Sequence, residues 1–509
     1  MNNISLNKNM VNLTKNERKV RVEEEVVFPD YASDIVKIIR IDAIPSLTSK
    51  KVRIKEGNAI LDLSGKVHFN VIYMGDEGCA ESYQFSADFS DSVKAPLTSD
   101  TDEESVTAQV SLTTDNVSCK AQSPRKVMAR CDVVMYDSIK CNAQFDSLSP
   151  DSDDKTEKLS FECITAEILS SATQEFDFSE EIKLPASYPP MEKILSCRTG
   201  ISLDNTSVSD GAVNFWGTMW VFTVYLPEYD GEKRALPQSF YQPIEITGRL
   251  EADDATDRSA AVGSLAMCNT MCEIITDTLG ENRILKLDGT YRADFNVIEN
   301  TPLQLVRDAY GISCVGTPLF ENRGFLKYEG ELRESVPFRE RISLKDGVLR
   351  LEDCHADLKL RGFGFENGKM FADTRLTFKA IGSGDMGEVG VNETFDLHLP
   401  MNLPSELVDK VDSILPEISV YTGYIDSKVF GDGAEISFDV TMSVEVFTEA
   451  LENFVSSLEV ADCADVRESS IFYYPTASDS MWSVGKRYAV SQKALEEANG
   501  EIKRVMLIP

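Results

Sequence analysis

The chain has 509 residues, with 51 Lys+Arg against 84 Asp+Glu and a formal net charge of −33. That length suggests about three or four domains, and an apolar content of 42% supplies sizeable cores and excludes wholesale disorder. The charge repels nucleic-acid phosphate and anionic membrane and leaves proteins as the expected partners.

The first stretch, MNNISLNKNMVNLTKNERKV, lacks the apolar run of a signal peptide and predicts a flexible segment over 1–21. No run approaches the roughly 20 apolar residues that span a bilayer, so a cytoplasmic location is expected. SDIVKIIR, from Ser33, reads as the start of a helical turn. Alternation then takes over. Val67, Phe69, Val71 and Tyr73 occupy every second position of GKVHFNVIY, as a half-buried strand requires. SDTDEES (99–105) is a loop, and SPRK with Pro124 precedes a second alternating strand, KVMARCDVVMY. The polar, acidic SPDSDDKTEK (149–158) reads as a linker. The pattern then recurs. Met219, Val221, Thr223 and Tyr225 alternate in GTMWVFTVY, and Tyr291, Ala293, Phe295 and Val297 in TYRADFNVI. Leu376, Phe378 and Ala380 alternate in TRLTFKAIG, and Ile436, Phe438, Val440, Met442, Val444 and Val446 in AEISFDVTMSVEVF. Turn signals precede these strands: EGN at 56–58, SDG at 209–211, GEN at 280–282, ENG at 366–368 and GDG at 431–433. SELVDKVDSI, from Ser405, predicts a short helix capped by Ser405.

Tyr73 and Tyr225 mark a period of about 150 residues, the size of a domain and too long for a solenoid repeat. Six related hairpins, two per domain, therefore predict a mainly β chain of three antiparallel domains over 22–148, 159–310 and 311–461, separable by proteolysis near 149–158 and 462–470. A small α+β unit follows over 470–509. There SIFYY reads as a strand and SDSMWSVGKRY as a helix with Asp479 as its N-cap. SQKALEEAN is a second helix capped by Ser491, and RVMLIP is a closing strand, giving the order β-α-α-β.

The stretches DIVKIIRIDA (34–43) and PMEKILSCRT (190–199), each followed by a hairpin ending in VIY or TVY, resemble SPOCS domains of spore coat morphogenesis in spore-forming Firmicutes. The tail resembles a divergent LysM module. Tyr474, Asp479, Ser480, Met481, Trp482, Lys486, Arg487, Tyr488, Leu495 and Asn499 stand where that family has its Y…GDTLW…A-K-x-Y…L…N pattern. Two departures stand out: the Gly before the Asp is Ser478, and the loop after the Asn has shrunk to GEIKR. In LysM modules those loops form the groove for acetamido sugars, so the changes weigh against glycan binding. SPOCS domains followed by LysM resemble the SipL family of spore morphogenetic proteins. That resemblance implies a non-enzymatic scaffold in the mother-cell cytosol, at the forespore surface. It would dock through its LysM-like tail onto the morphogenetic ATPase of the coat basement layer. It also implies a partner-binding set of Ser478, Asp479, Ser480, Met481, Trp482, Lys486, Arg487, Tyr488 and Asn499. A conventional peptidoglycan-binding envelope protein is the alternative.

Charge fits a docking tail. Residues 470–509 carry five basic side chains (Lys486, Arg487, Lys493, Lys503, Arg504) and four acidic ones (Asp479, Glu496, Glu497, Glu501), on an otherwise strongly acidic chain. A near-neutral tail can approach an acidic partner that the body repels. For Trp482 and Met481 the competing reading is packing inside the module. Lys486 and Arg487 would equally serve the negative end of their helix. No enzyme signature is found: GFGFENG (362–368) lacks the Lys of a phosphate loop, and neither GxSxG nor HExxH occurs. The 11 cysteines are scattered, with CNTMC (268–272) the tightest pair, and the histidines number three (His68, His355, His398). Free thiols are expected, with no metal and no cofactor.

Overall fold

The computed structural model describes residues 4–98, 100–151, 154–209, 211–228, 236–345, 347–384, 387–460, 471–502 and 504–509. The predicted proteolytic site at 462–470 lies outside them.

The first domain consists of β1 (Ile4–Val27), β2 (Ile35–Lys55), β3 (Asn58–Gly75), β4 (Ala80–Pro96), β5 (Thr107–Ser123) and β6 (Lys126–Leu148). These strands form two three-stranded antiparallel sheets, β2-β3-β4 and β1-β6-β5. The second domain repeats the plan with β7 (Thr156–Lys183), β8 (Met191–Ser209), β9 (Ala212–Pro227), β10 (Gln238–Glu251), β11 (Ala260–Ile275) and β12 (Ile284–Gly311). Its sheets are β8-β9-β10 and β7-β12-β11. In the third, β13 (Gly316–Ser343), β14 (Val348–Glu366), β15 (Lys369–Gly384) and β16 (Gly387–Asn402) are followed by a short helix α1 (Ser405–Val408). Then come β17 (Ile414–Thr422), β18 (Asp426–Phe430) and β19 (Gly433–Val460). The sheets are β14-β15-β16 and β13-β19-β17, with β18 also on β19.

The six alternating strands are the six sheet centres: β3, β6, β9, β12, β15 and β19. Each sends one face into the sandwich, as with Leu61, Val67 and Phe69 against Ala129, Cys131 and Val133 in the first domain. Phe215 meets Phe295 in the second, and Leu376 and Phe378 meet Val440 and Met442 in the third. The predicted turns lie before these centres. At two of them, Glu56-Gly57 and Asn367-Gly368, both residues have positive φ, as the twist of a two-residue hairpin demands.

Four expectations need correction. Of the segment read as flexible over 1–21, residues 4–21 belong to a strand: β1 begins at Ile4 and pairs with β6 along its length. The first strand of each domain returns to the last (β1 to β6, β7 to β12, β13 to β19), so the domains begin at 4, 156 and 316 rather than at 22, 159 and 311. SDIVKIIR is not a helical turn but the start of β2. Ser405 is the first helical residue, and Pro404, whose side chain cannot cap, precedes it.

The domains share equivalent irregularities. β1, β7 and β13 each loop out one residue at the same distance from their C-terminal ends, namely Leu13, Leu169 and Glu329. β2, β8 and β14 each have a bulge at their matching positions, Leu47/Ser49, Leu203/Asn205 and Leu360/Gly362. Equivalent residues also converge in space. Met10, Ala166 and Leu326, matched by their registers, pack into one cluster that draws on all three domains. Asn142 donates to the Ile168 carbonyl (2.8 Å) and accepts from its N–H (2.9 Å). Asn300, its counterpart one domain on, does the same to Tyr328 at 2.8 and 3.1 Å. The third domain closes the ring onto the first through Lys140–Glu417 at 2.7 Å and Lys359–Asp115 at 2.7 Å.

Residues five and seven positions into β2, β8 and β14 come together across the three domains: Arg40 and Asp42 from the first, Arg198 from the second, Asp353 and His355 from the third. Arg40 joins Asp42 (2.8 Å) to Asp353 (2.5 Å), and Arg198 reaches Asp353 at 2.6 Å. Two cations and two anions balance while His355 is neutral. Burial, and then the Arg198 charge, push its imidazole below the ordinary value. Burial alone would raise the Asp42 carboxyl; Arg40 and His355 outweigh it and hold the group well below the usual range. This shared ion network and the mixed clusters bind the sandwiches into one body. A cut in the 149–158 connection would not by itself release a fragment.

Candidate functional site: the C-terminal module

Residues 471–509 form β20 (Ile471–Tyr473), α2 (Met481–Tyr488), α3 (Gln492–Asn499) and β21 (Met506–Ile508), the β-α-α-β order read from the sequence. β20 and β21 pair antiparallel, and Val484, Leu495, Met506 and Ile508 make a core that draws only on module residues.

The cap of α2 differs from expectation. Ser480, not Asp479, is the N-cap; its hydroxyl accepts from the Ser483 N–H and the Ser483 hydroxyl accepts from the Ser480 N–H. Asp479 instead organises the preceding turn. It accepts from the Thr476 N–H (2.7 Å) and the Tyr473 hydroxyl (2.7 Å) and pairs with Arg487 at 3.4 Å. Those hydrogen bonds, the Thr476 N–H foremost, lower its carboxyl from the ordinary value. Ser478 is exposed, its hydroxyl 3.1 Å from that of Thr476. Ser491 caps α3 as read, accepting from the Ala494 N–H.

The nine predicted partner-binding residues do not share one surface. Asn499 is buried and locks the closing strand: it donates to the Leu495 and Leu507 carbonyls and accepts from the Leu507 N–H at 2.6 Å. Met481 and Tyr488 pack on the module core, Tyr488 edge-on to Tyr473 with ring centroids 5.5 Å apart. Arg487 is exposed, over the Tyr473 ring.

Trp482 and Lys486 face the body. One carboxylate on β12, Asp308, accepts from the Trp482 indole N–H (2.8 Å) and from the Lys486 ammonium (2.6 Å). Tyr310 meets Trp482 edge-on at 4.9 Å and donates to the Val490 carbonyl at 3.0 Å. The Ser313 N–H donates to the Ala489 carbonyl (2.7 Å), and Glu157 accepts from the Gln492 N–H (3.0 Å). Gly485 lies where any side chain would strike the Tyr310 hydroxyl. The sequence contains no mark of Asp308, Tyr310 or Glu157 as a seat for the tail, since they lie 150 or more positions away on ordinary strands.

A different face is left free. Phe472 and Tyr474 are 70% and 68% exposed on the outer side of the small sheet. Val505 is also exposed there, and Arg504 is exposed beside it. The alternation in IFYY contained this outward pair, with Ile471 and Tyr473 pointing in.

Among the described residues no cluster of His, Cys, Asp and Glu could hold a metal ion, and no helix is long and apolar enough to cross a membrane. Comparison with protein-family models, with curated proteins and with solved structures finds no match.

Proposed function

We propose that the chain is a non-enzymatic scaffold of spore coat assembly, whose tail docks onto the morphogenetic ATPase of the coat basement layer at the forespore surface, in the mother-cell cytosol. The reading rests on the tail's resemblance to LysM and the body's resemblance to SPOCS domains. The structural observation that carries it is a small module with its own core, presenting the aromatic side chains Phe472 and Tyr474 and the cations Arg487 and Arg504 to solvent. Exposed aromatic and arginine side chains are the usual anchors of protein interfaces, and these sit on a near-neutral part of an acidic chain. The test is a fluorescent fusion followed during sporulation, intact and lacking residues 466–509, with purified protein pulled down on the ATPase and on insoluble peptidoglycan. The reading expects a ring around the forespore that the truncation loses, and capture by the ATPase. A ring that survives the truncation moves docking to the β domains, and capture by peptidoglycan alone favours the glycan-binding alternative.

A further inference from the structure

Trp482 and Lys486 lie one helical turn apart on α2, and a single carboxylate holds both. Asp308 can reach them because the β7–β12 register shifts between Val306 and Asp308, a bulge that re-aims the side chain beside it. We infer that this contact is a latch: Asp308 and Tyr310 withhold the Trp482–Lys486 face from the tail's partner, and the partner opens it by presenting its own carboxylate beside an aromatic ring. This rests on the docking reading above and adds to the free Phe472–Tyr474 face a second, regulated contact surface.

The seat satisfies what the face demands. A half-buried indole N–H needs an acceptor, and an ammonium beside it needs a negative charge. Whatever displaces Asp308 must meet both requirements at once, or it leaves a donor unpaired. The joint is also built to open. The module core includes no body residue, and Lys486 keeps 40% of its side chain in water, so release uncovers the Trp482–Tyr310 contact and leaves that core closed. Two residues in the left-handed region, Ala489 (φ 58°) and Ser313 (φ 55°), face each other across it through the Ser313 N–H and the Ala489 carbonyl. Side chains with a Cβ hold that conformation only while their surroundings impose it.

The experiment uses the full chain with substitutions on the body side only, which leave the tail's own residues intact: Asp308→Ala and Tyr310→Ala, with Glu162→Gln, an exposed carboxylate elsewhere on β7, as the charge control. Hydrogen exchange at the Ser313 and Gln492 amides reports the latch, and affinity for the coat ATPase reports the consequence. Both latch variants should lose protection at the two amides and bind about tenfold tighter, the gain expected where the competent state is about a tenth of the population. The control should change neither. Adding Trp482→Ala to Asp308→Ala should abolish the gain. Lost protection with unchanged or weaker binding overturns the latch and leaves the docking reading standing, as does protection that survives both substitutions. If no form of the chain binds the ATPase, the docking reading falls and the latch falls with it.

Discussion

The chain contains two kinds of joint. Between the three sandwiches, contacts are buried, charged and shared: Arg40, Asp42, Arg198 and Asp353 are nearly sealed from water, and apolar clusters take residues from all three domains. Between body and tail, the ion pair is partly exposed, and contacts run mostly through one carboxylate and one buried tyrosine. Burial decides what each joint can do. A buried ion pair that loses one partner leaves a charge stranded in low dielectric, so the body opens only by unfolding. An exposed pair exchanges its partner for water at little cost, so the tail can leave with both halves folded.

The largest effect should come from stranding the central network. Arg40→Ala removes the cation that joins Asp42 to Asp353 and leaves Asp42 with His355 as its nearest ionisable partner among the described residues. The expected loss is about 3–5 kcal/mol, read as a fall in the urea midpoint of the body. A loss under about 1 kcal/mol would mean that water reaches the network and that the sandwiches are joined by their apolar clusters alone.

The joint between the first and third domains contains a second, opposite device. Burial, helped by Glu331 and Glu417, pushes the Glu445 carboxyl up to about 7, against the hydrogen bond from the Tyr328 hydroxyl. A carboxyl raised in the folded state costs stability as pH rises from its ordinary value near 4.5 towards 7, and the cost is complete above that. Glu445→Gln keeps an acceptor for Tyr328 and removes the charge. The variant should therefore gain on the order of 2–3 kcal/mol over the wild type at pH 8 and almost nothing at pH 4. His355 has the other sign. Its lowered value gives stability that is present above its ordinary value of 6.5 and declines as pH falls below it. Comparing each variant with the wild type at the same pH separates the two. Equal gains at both pH values would place the Glu445 effect in packing rather than charge.

How much of this the sequence contains differs by element, for physical reasons. The six sheet centres are legible because a strand paired on both edges and buried on one face alternates without interruption. SDIVKIIR misleads because β2 has two bulges near its start, between Ile35 and Lys37 and between Ile38 and Arg40. Each extra residue breaks the two-residue period, leaving Ile35, Ile38 and Ile39 at helical spacing. β8 has the same pair of bulges, with Met191, Ile194 and Leu195 spaced alike. β1 is hidden for another reason: an edge strand rich in Asn and Lys buries few side chains, Met10, Asn9 and Val22 among them, so its pattern reads as polar chain. The tail's elements are legible through helical spacing and the Ser491 cap, while the cap of α2 reads one residue early. The tail's use is not legible, because whether Trp482 packs inward, faces a partner or rests on Asp308 depends on a strand 174 positions away.

The smallest effect sharpens the comparison most. Deleting residues 461–509 removes the tail, its joint and nothing that the body's described core uses, since the apolar clusters of the three domains contain no residue beyond Leu458. What the body loses is the cover over Tyr310 and the partners of Asp308. The carboxylate turns to water at a cost of about 0–1 kcal/mol, and Tyr310, only 3% exposed in the intact chain, loses an aromatic contact worth about 0.5–1.5 kcal/mol. The urea midpoint of the truncated body should therefore report a loss of no more than about 2 kcal/mol against the intact chain. Deleting residues 1–27, of which the sequence alone presents 1–21 as a flexible segment, removes an edge strand paired along the whole of β6 and should unfold the first domain. A large loss on removing the tail would show that its seat on β12 is part of the body's fold. The latch would then be a permanent joint, and the two kinds of contact would be one.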